Sequence, residues 1–160
     1  MPKEPPALKC DALPAAGSVY DLLYELGKGW QTWESTLVEQ AIPAGTPFGS
    51  IIIPTDDSAR YTFLLDACLQ RRVPVLLCGP SGTGKSVYVT RHLVKGLPSE
   101  SFMPIIVSFS ARTSAQQTQE QVDGRLDKRR RGVIGPPMGK RAVVFVDDLN
   151  MPTQETYGAQ

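Results

Sequence analysis

The fold of this chain can be predicted from one motif, Gly79-Pro80-Ser81-Gly82-Thr83-Gly84-Lys85-Ser86. It fits the P-loop pattern G-x-x-x-x-G-K-[ST], which binds the phosphates of nucleotide triphosphates. The apolar run before it, at 73–78, predicts a buried strand, and residues 85–95 after it predict a helix that Gly96 and Pro98 end. Strand, glycine-rich loop and helix are the context that gives the motif its meaning, so the sequence predicts a nucleotide-binding site.

The residue types in the loop match the chemistry of a phosphate site. Gly79, Gly82 and Gly84 lack a Cβ, so the backbone can take positive φ and approach a ligand closely. Successive N–H groups then form an anion site, to which the following helix N-terminus adds partial positive charge. Lys85 is predicted to reach the β- and γ-phosphates, and Ser86 to bind Mg²⁺ through its hydroxyl. The loop from Gly79 to Ser86 is therefore expected to hold ATP or ADP with Mg²⁺.

Composition excludes several classes of protein. The chain has 160 residues, 41% hydrophobic and 21% charged, as in an ordinary globular protein. Its net charge of +1 gives no general electrostatic reason to expect nucleic acid as a partner. No apolar run approaches the ~20 residues of a membrane helix, and the first residues lack the apolar core of a signal peptide. Three scattered cysteines (Cys10, Cys68 and Cys78) indicate reduced thiols in the cytoplasm rather than a zinc site.

The first 47 residues are predicted to precede the nucleotide-binding domain. Residues 1–17 are rich in proline and alanine, which favours a disordered or extended segment. Residues 18–41 are predicted to be helical. Ser18 would cap that helix with Asp21 at the capping-box position, and two tryptophans would lie on one face, in a core or an interface.

Residues 48–160 are predicted to form a partial α/β domain, a three-layer P-loop sandwich with a parallel sheet that is incomplete at its C-terminus. An extended segment at 51–55 and a helix after Asp56 and Asp57 lead into the P-loop strand. The elements predicted after the P-loop helix are a strand at 104–109, a helix from Thr113, capped with Gln116, to about Arg131, an irregular segment at 132–139, and a strand at 142–146.

A basic run, Lys128-Arg129-Arg130-Arg131, lies at the end of the predicted polar helix. One interpretation is a solvated helix end, in which Asp127 and Arg131 pair at i, i+4. The other is a contact with an acidic surface or a phosphate on a neighbour. The sequence leaves both open.

The last apolar strand ends in Asp147-Asp148, about 60 residues after the P-loop. This arrangement, known as Walker B, places a carboxylate where it can hold Mg²⁺ directly or through water, and we assign that role to Asp147. Asp148 follows where many ATPases of this type carry the glutamate that orients the attacking water. Aspartate is one methylene shorter, so we expect slow hydrolysis with Asp148 as the catalytic residue.

Several P-loop classes do not fit the chain. Small GTPases carry Asp-x-x-Gly after this strand, whereas Asp147 is followed at the third position by Asn150. No Leu-Ser-Gly-Gly-Gln stretch of a transporter ATPase is present. A nucleoside kinase stays possible on the loop and strand alone. The order of strand, P-loop, helix, strand, polar helix and Walker B strand suits an AAA+ ATPase.

Longer motifs resemble axonemal dynein heavy chains, most closely the third of the six AAA+ modules in the motor ring, over roughly residues 48–160. The Asn-Met-Pro after the two acids and the Gly-Pro-Pro loop are more specific than the P-loop itself. The segments that carry the resemblance are residues 53–61, 75–86, 126–137, 144–152 and the closing Tyr157-Gly158-Ala159-Gln160.

The resemblance implies a regulatory, slowly hydrolysing ATP-binding module of a minus-end-directed microtubule motor that drives ciliary or flagellar beating. It also implies that Ile53, Pro54 and Thr55 lie near the adenine. The implied partners are the neighbouring AAA+ modules and, through other parts of such a chain, intermediate and light chains and microtubules. No nucleic acid or membrane is expected, and the implied location is the cytoskeleton of the axoneme. A non-hydrolysing structural module and a free-standing P-loop kinase-like protein are the alternatives.

The chain ends at Gln160, before the two further strands, sensor residue, arginine finger and helical lid of an AAA+ core. An arginine finger contributes about 10³–10⁵ in rate where it operates. We therefore expect a fragment of a longer chain, with negligible ATPase activity on its own.

Overall fold

The computed structural model describes residues 11–15, 18–37 and 42–152. The chain forms two units, residues 1–76 and residues 77–160. This division into two units does not test the domain boundary predicted after residue 47, so that boundary stays a prediction. Most of the predicted disordered segment, and the closing motif of residues 157–160, lie outside the described residues. Within the described ranges, no helix is long and apolar enough to cross a membrane.

The first unit contains a β-hairpin where the sequence predicted a helix. Strand β1 (Leu22–Glu25) pairs antiparallel with strand β2 (Gly29–Thr32). Gly27 and Gly29 have φ values of 89° and 78°, which a tight turn uses and a helix excludes. The predicted helix at 18–41 is therefore wrong over its described part. Two glycines within three residues favour the chain reversal, because each would cost a helix about 1 kcal/mol.

The two tryptophans do not form a helical stripe. Trp30, on β2, packs edge-on against Tyr24 of β1, with ring centroids 5.1 Å apart. Trp33 is buried and packs edge-on against Phe63 of helix α1 (Asp56–Arg71), at 5.6 Å. Its indole N–H donates to the Tyr20 carbonyl at 3.0 Å. Burying Trp33 with its N–H satisfied attaches the hairpin to α1.

Helix α1 confirms the helix predicted after residue 55. Thr55 caps it: Thr55 Oγ1 accepts the Ser58 N–H at 3.2 Å, and Ser58 Oγ accepts the Thr55 N–H at 2.8 Å. These two bonds satisfy donors that the first helical turn leaves unpaired. The helix ends at Arg72, which takes a left-handed φ of 58°.

The predicted capping pair at residue 18 is confirmed, although it caps only a 3₁₀ turn (Val19–Asp21). The Asp21 carboxylate accepts the Ser18 N–H at 3.0 Å. Arg60 on α1 donates to the same carboxylate at 3.2 Å and to Asp57 at 3.3 Å. These exposed ion pairs position the turn and contribute little to stability.

A parallel pair of strands forms the sheet of the second unit. Strand β3 (Phe102–Ser108) pairs with the strand at 141–147, with Phe102 opposite Arg141 and Ser108 opposite Asp147. Ile105 and Val107 point to the core and are buried. The strands predicted at 104–109 and 142–146 are confirmed to within two residues at each end, which is the usual uncertainty of such boundaries.

Helix α2 (Lys85–Arg91) follows the P-loop and continues as a π-helical turn (His92–Gly96), which confirms the predicted helix. It buries Val89, His92 and Leu93 in the core, so His92 is a packing residue. A Cβ added at Gly96 would lie 2.5 Å from His92 Nδ1. The end of the helix therefore needs glycine at this position.

The apolar run at 73–78 belongs to no strand among the described residues. Val75, Leu76 and Leu77 expose 43%, 73% and 38% of their surface. The predicted buried strand is therefore wrong. An apolar composition favours burial of a segment. A strand also needs hydrogen bonds to the edge of a neighbouring strand. The described strands that follow the P-loop pair only as two separate two-stranded sheets, and neither sheet includes residues 73–78.

The polar helix is shorter than predicted, and a hairpin follows it. Helix α3 (Ala115–Asp123) is capped by Ser114 with Gln117, one residue later than predicted. Gly124 follows its last turn; a Cβ there would meet the Glu120 carbonyl oxygen at 2.9 Å. Strands β4 (Asp127–Arg130) and β5 (Val133–Gly135) then pair antiparallel. The basic run is thus not a helix end, the predicted pair of Asp127 and Arg131 at helical spacing is wrong, and part of the segment predicted as irregular is a strand. The last strand, at 141–147, is β6 (Arg141–Asp147).

Candidate nucleotide-binding site

Two of the three P-loop glycines take the positive φ that the sequence predicts, whereas Gly79 does not. Gly82 and Gly84 take φ values of 81° and 82°, in the left-handed region that favours glycine. Gly84 is the N-cap of α2. A Cβ at Gly84 would lie 2.8 Å from Cε2 of the Tyr88 ring, so a side chain there is excluded by space as well as by backbone angle. The loop therefore requires glycine at its junction with α2.

Lys85 folds back over the loop. Its ammonium donates to the carbonyl oxygens of Gly79 at 2.8 Å and Pro80 at 2.6 Å, and to Thr83 Oγ1 at 3.2 Å. The Thr83 hydroxyl donates in turn to the Pro80 carbonyl at 3.0 Å. All three protons of the ammonium thus have neutral acceptors within the loop. The charged oxygens of a bound phosphate would replace some of these acceptors.

Ser86 and Asp147 meet across the unit. The Ser86 hydroxyl donates to Asp147 Oδ1 at 2.7 Å, joining the first turn of α2 to the end of β6. The same carboxylate oxygen accepts the Asp148 N–H at 3.1 Å. The partly buried pair places a hydroxyl and a carboxylate oxygen together beside the P-loop, as the sequence predicts for a Mg²⁺ site.

The donor set fits a magnesium ion bound with a nucleotide. Mg²⁺ takes oxygen ligands and commonly uses one or two protein groups together with phosphates and water. Ser86 and Asp147 offer two such oxygens, and no cluster of three His, Cys, Asp or Glu residues occurs in the described part of the chain. This arrangement suits a cation that phosphate oxygens and water complete rather than an all-protein metal cage.

Asp148 has an unusual backbone. Its φ is 53°, one of two non-glycine residues with positive φ in the described ranges. Aspartate tolerates the left-handed region better than most residues, because its short side chain can form a hydrogen bond with the nearby backbone. Longer side chains do not form this bond as readily. Asp148 is exposed, and its carbonyl accepts the Met151 N–H at 2.9 Å in the turn after β6. The turn therefore gives a structural reason for aspartate at position 148.

The residues assigned to the adenine lie in the first unit. Ile53 exposes 67% of its surface, and Thr55 is the N-cap of α1. The Thr55 hydroxyl is already engaged with the Ser58 N–H, which the sequence analysis did not anticipate. The assignment of Ile53, Pro54 and Thr55 to the adenine stays a prediction.

Tyr88 was missed by the sequence analysis. Its ring packs beside Gly84 at the base of the loop. The spacing of four residues across the first turn of a helix is the signal that could have identified it, because such residues lie on the same face.

Comparison with known proteins identifies the family. Residues 40–160 match the family model described as the P-loop containing dynein motor region. The chain is 45% identical over 163 aligned residues to Dynein axonemal heavy chain 3 of Homo sapiens, covering 99% of this chain and 4% of the relative. It is 52% identical over 147 residues to Dynein axonemal heavy chain 12 of Rattus norvegicus, covering 90% and 5% respectively. Against Dynein axonemal heavy chain 1 of Rattus norvegicus the identity is 47% over 131 residues, with 82% and 3% covered.

The chain thus spans only 3–5% of the length of these relatives. The match covers the P-loop, the Ser86–Asp147 contact and the described motifs after β6, so the kinase-like alternative does not hold. The fold is that of a P-loop AAA domain, with helices around a parallel strand pair. On the combined evidence of the nucleotide-site geometry and the matched residues, this chain belongs to the P-loop containing dynein motor region family and is similar to axonemal dynein heavy chains over most of its length.

Proposed function

We propose that this chain is the nucleotide-binding part of the third AAA+ module of an axonemal dynein heavy chain and that it binds ATP or ADP with Mg²⁺. The observation that carries the proposal is the 2.7 Å contact between Ser86 Oγ and Asp147 Oδ1, residues 61 positions apart. It joins the two halves of a Mg-nucleotide site that the sequence identifies separately.

The roles of the side chains follow from their positions. The Lys85 ammonium exchanges loop carbonyls for phosphate oxygens, and the amides around Gly82 and Gly84 accommodate the same group. Ser86 and Asp147 hold the cation, which when bound neutralises phosphate charge. Asp148 orients the attacking water from the turn after β6.

The direct test is a titration of the chain with a fluorescent ATP analogue, with and without Mg²⁺. We expect saturable binding that Mg²⁺ strengthens and unlabelled ATP reverses. If neither this chain nor a heavy chain containing it binds the analogue at this site, the proposal is wrong.

In the parent motor, we propose that the module hydrolyses ATP slowly and regulates release from the microtubule. The proposal rests on the resemblance to the third module and on aspartate at position 148. Neighbouring AAA+ modules would be its immediate partners, with intermediate and light chains and microtubules contacted through other parts of the heavy chain. The location would be the axoneme of a cilium or flagellum, and the motion that of a minus-end-directed motor.

A non-hydrolysing structural module is the second candidate. It is favoured by the exposed, short side chain of Asp148 on a left-handed backbone, which limits its reach towards an attacking water. The nucleotide recovered from the purified heavy chain, together with single-turnover kinetics at this one site, separates the two candidates. ADP formed at this site supports slow hydrolysis, whereas ATP that persists unchanged supports a structural role.

The length of the residue at position 148 should set the hydrolysis rate. In a heavy chain containing this segment, Asp148→Glu is expected to raise the single-turnover rate at this site about threefold, because the longer carboxylate reaches the water better. The gain is limited by the cost of a glutamate at a φ of 53°. The matched control is Asp148→Asn, which suits the same turn, removes the base and should slow the reaction. An unchanged rate in Asp148→Glu would count against Asp148 as the water-orienting residue.

A further inference from the structure

We propose that the basic hairpin, residues 127–135, is a docking surface for an extended acidic protein segment. The nucleotide site does not involve this hairpin, so the proposal goes beyond the function proposed above. It rests on the charge, exposure and open edges of β4 and β5.

The basic hairpin concentrates positive charge on a solvent-exposed strand. Residues 123–131 contain five lysines or arginines and two aspartates, although the whole chain carries a net charge of only +1. Every residue of β4 is exposed. A local excess of charge in an otherwise balanced chain is a feature that attracts a complementary partner and speeds its association.

Three of the cations of the hairpin form no salt bridge in the described part of the structure. The Arg129 guanidinium donates to the Pro136 carbonyl and so ties the hairpin to the loop after it. Lys128, Arg130 and Arg131 form no ion pair with any described residue. Three cations within four residues repel one another, and carboxylates brought between them would relieve that repulsion.

The shape suits an extended segment. Strands β4 and β5 pair only with each other among the described strands, so each has an open edge. A shallow cavity of about 420 Å³ is lined by residues 128–132 and Ile134. Lys128 and Arg130 lie two positions apart on β4, and side chains on one face of an extended segment also recur every second residue, at about 6.6 Å. Val133 and Ile134, exposed by 37% and 44%, would provide apolar contact beside the charges.

An acidic protein fits these features better than nucleic acid or a membrane. No aromatic residue occurs between Gly124 and Arg141, so the hairpin lacks the stacking platform that single-stranded nucleic acids use. It also lacks the amphipathic helix with aromatic or leucine anchors that inserts into lipid. Charges on an edge strand also deter association between sheets, and that purely protective role is the result that would overturn the proposal.

The test is the binding of a fluorescein-labelled peptide of alternating glutamate and threonine, about 10 residues long, measured by fluorescence anisotropy. Replacing Lys128, Arg130 and Arg131 together by glutamine should weaken binding roughly tenfold at low salt, and binding by the unaltered chain should fall as salt rises. The matched control replaces Arg72, Lys95 and Arg112 by glutamine. These residues are exposed, lie outside the hairpin and change the net charge equally, so this variant should bind the peptide normally.

Two further measurements keep the result interpretable. Circular dichroism checks that both variants are folded, and hydrogen exchange on the unaltered chain should show that the peptide protects residues 127–135. No peptide binding, equal loss in the two variants, or protection elsewhere would overturn the proposal. Tighter binding to a single-stranded RNA or to phosphatidylserine vesicles than to the peptide would also overturn it. Binding of the ATP analogue should be the same in all three proteins, so failure here is distinguishable from failure of the nucleotide site.

Discussion

Replacing Lys85 by alanine is expected to weaken ATP binding by about a hundredfold, because each charge-assisted hydrogen bond to phosphate contributes about 1.5–3 kcal/mol. The ammonium is already positioned in the loop, with the carbonyl oxygens of Gly79 and Pro80 at 2.8 and 2.6 Å. Phosphate oxygens would replace these neutral acceptors by charged ones. The gain is the difference between the two sets of bonds, which is why we expect hundredfold rather than a larger loss.

The measurement is a titration with the fluorescent ATP analogue in the presence of Mg²⁺. Lys95→Ala is the matched control, because Lys95 is the same residue type, is exposed, and lies ten positions further along the chain, in the π-helical turn after α2. It should bind the analogue with unchanged affinity. Lys85→Ala should also unfold at nearly the same temperature as the unaltered chain, since the loop contacts it removes are exposed. Equal affinities for Lys85→Ala and Lys95→Ala would remove Lys85 from the site.

Asp147→Asn is expected to reduce the affinity of the nucleotide-bound site for Mg²⁺ by about 10–100-fold, because a contact with a charged group contributes about 1.5–3 kcal/mol. The amide keeps an oxygen for the Ser86 hydroxyl and the Asp148 N–H, so the arrangement of α2 and β6 should persist. What it loses is the negative charge that attracts the cation. Nucleotide binding in the absence of Mg²⁺ should be unchanged or slightly stronger, because a charge facing the phosphates is gone.

A Mg²⁺ titration of analogue binding measures this effect, and Asp148→Asn is its control. Both variants remove one carboxylate from adjacent positions, but Asp148 makes no side-chain bond to Ser86 and is exposed. Asp148→Asn should therefore keep most of the Mg²⁺ dependence. The reverse pattern, with Mg²⁺ dependence lost only in Asp148→Asn, would exchange the two assignments.

The sequence predicted the elements whose signals are local. Acids at its start and arginines at its end predicted helix α1, and the P-loop before it predicted helix α2. Apolar runs predicted strands β3 and β6. The P-loop residues were identified by their motif and its strand–loop–helix context, and Asp147 and Asp148 by the apolar run before them and their distance from the P-loop. Ser86 and Asp147 come into contact because the P-loop and the end of β6 lie at the same edge of the parallel sheet, where such folds bind ligands.

The errors lie where tertiary context decides the outcome. In the hairpin at 22–32, the spacing of leucines and tryptophans suggested a helix, but two glycines reverse the chain. The run at 73–78 is apolar enough for a strand, yet pairing depends on a neighbour that its own residues cannot specify. At 127–130, charged residues that the sequence predicted in a helix form strand β4 after Gly124, because propensity is a weak prior beside chain geometry.

Some features of the site were beyond sequence reasoning for a different reason. The contacts of Lys85 with its own loop and the positive φ of Asp148 are details of geometry that a motif does not encode. The adenine assignment of Ile53–Thr55 rested on position rather than chemistry. The structure gives Thr55 a capping role, and the assignment is still to be tested.

The separation of Ser86 and Asp147 along the chain also has a kinetic consequence. Their hydrogen bond closes a loop spanning 61 positions, and the entropy of such a closure must be overcome before the contact returns any free energy. Non-local pairing of this kind slows folding. A nucleotide bound together with Mg²⁺, as proposed, would contact both ends of this loop, so it would bind chains in which the contact has already formed. Added nucleotide should therefore lengthen the lifetime of the folded protein while leaving its rate of formation nearly unchanged.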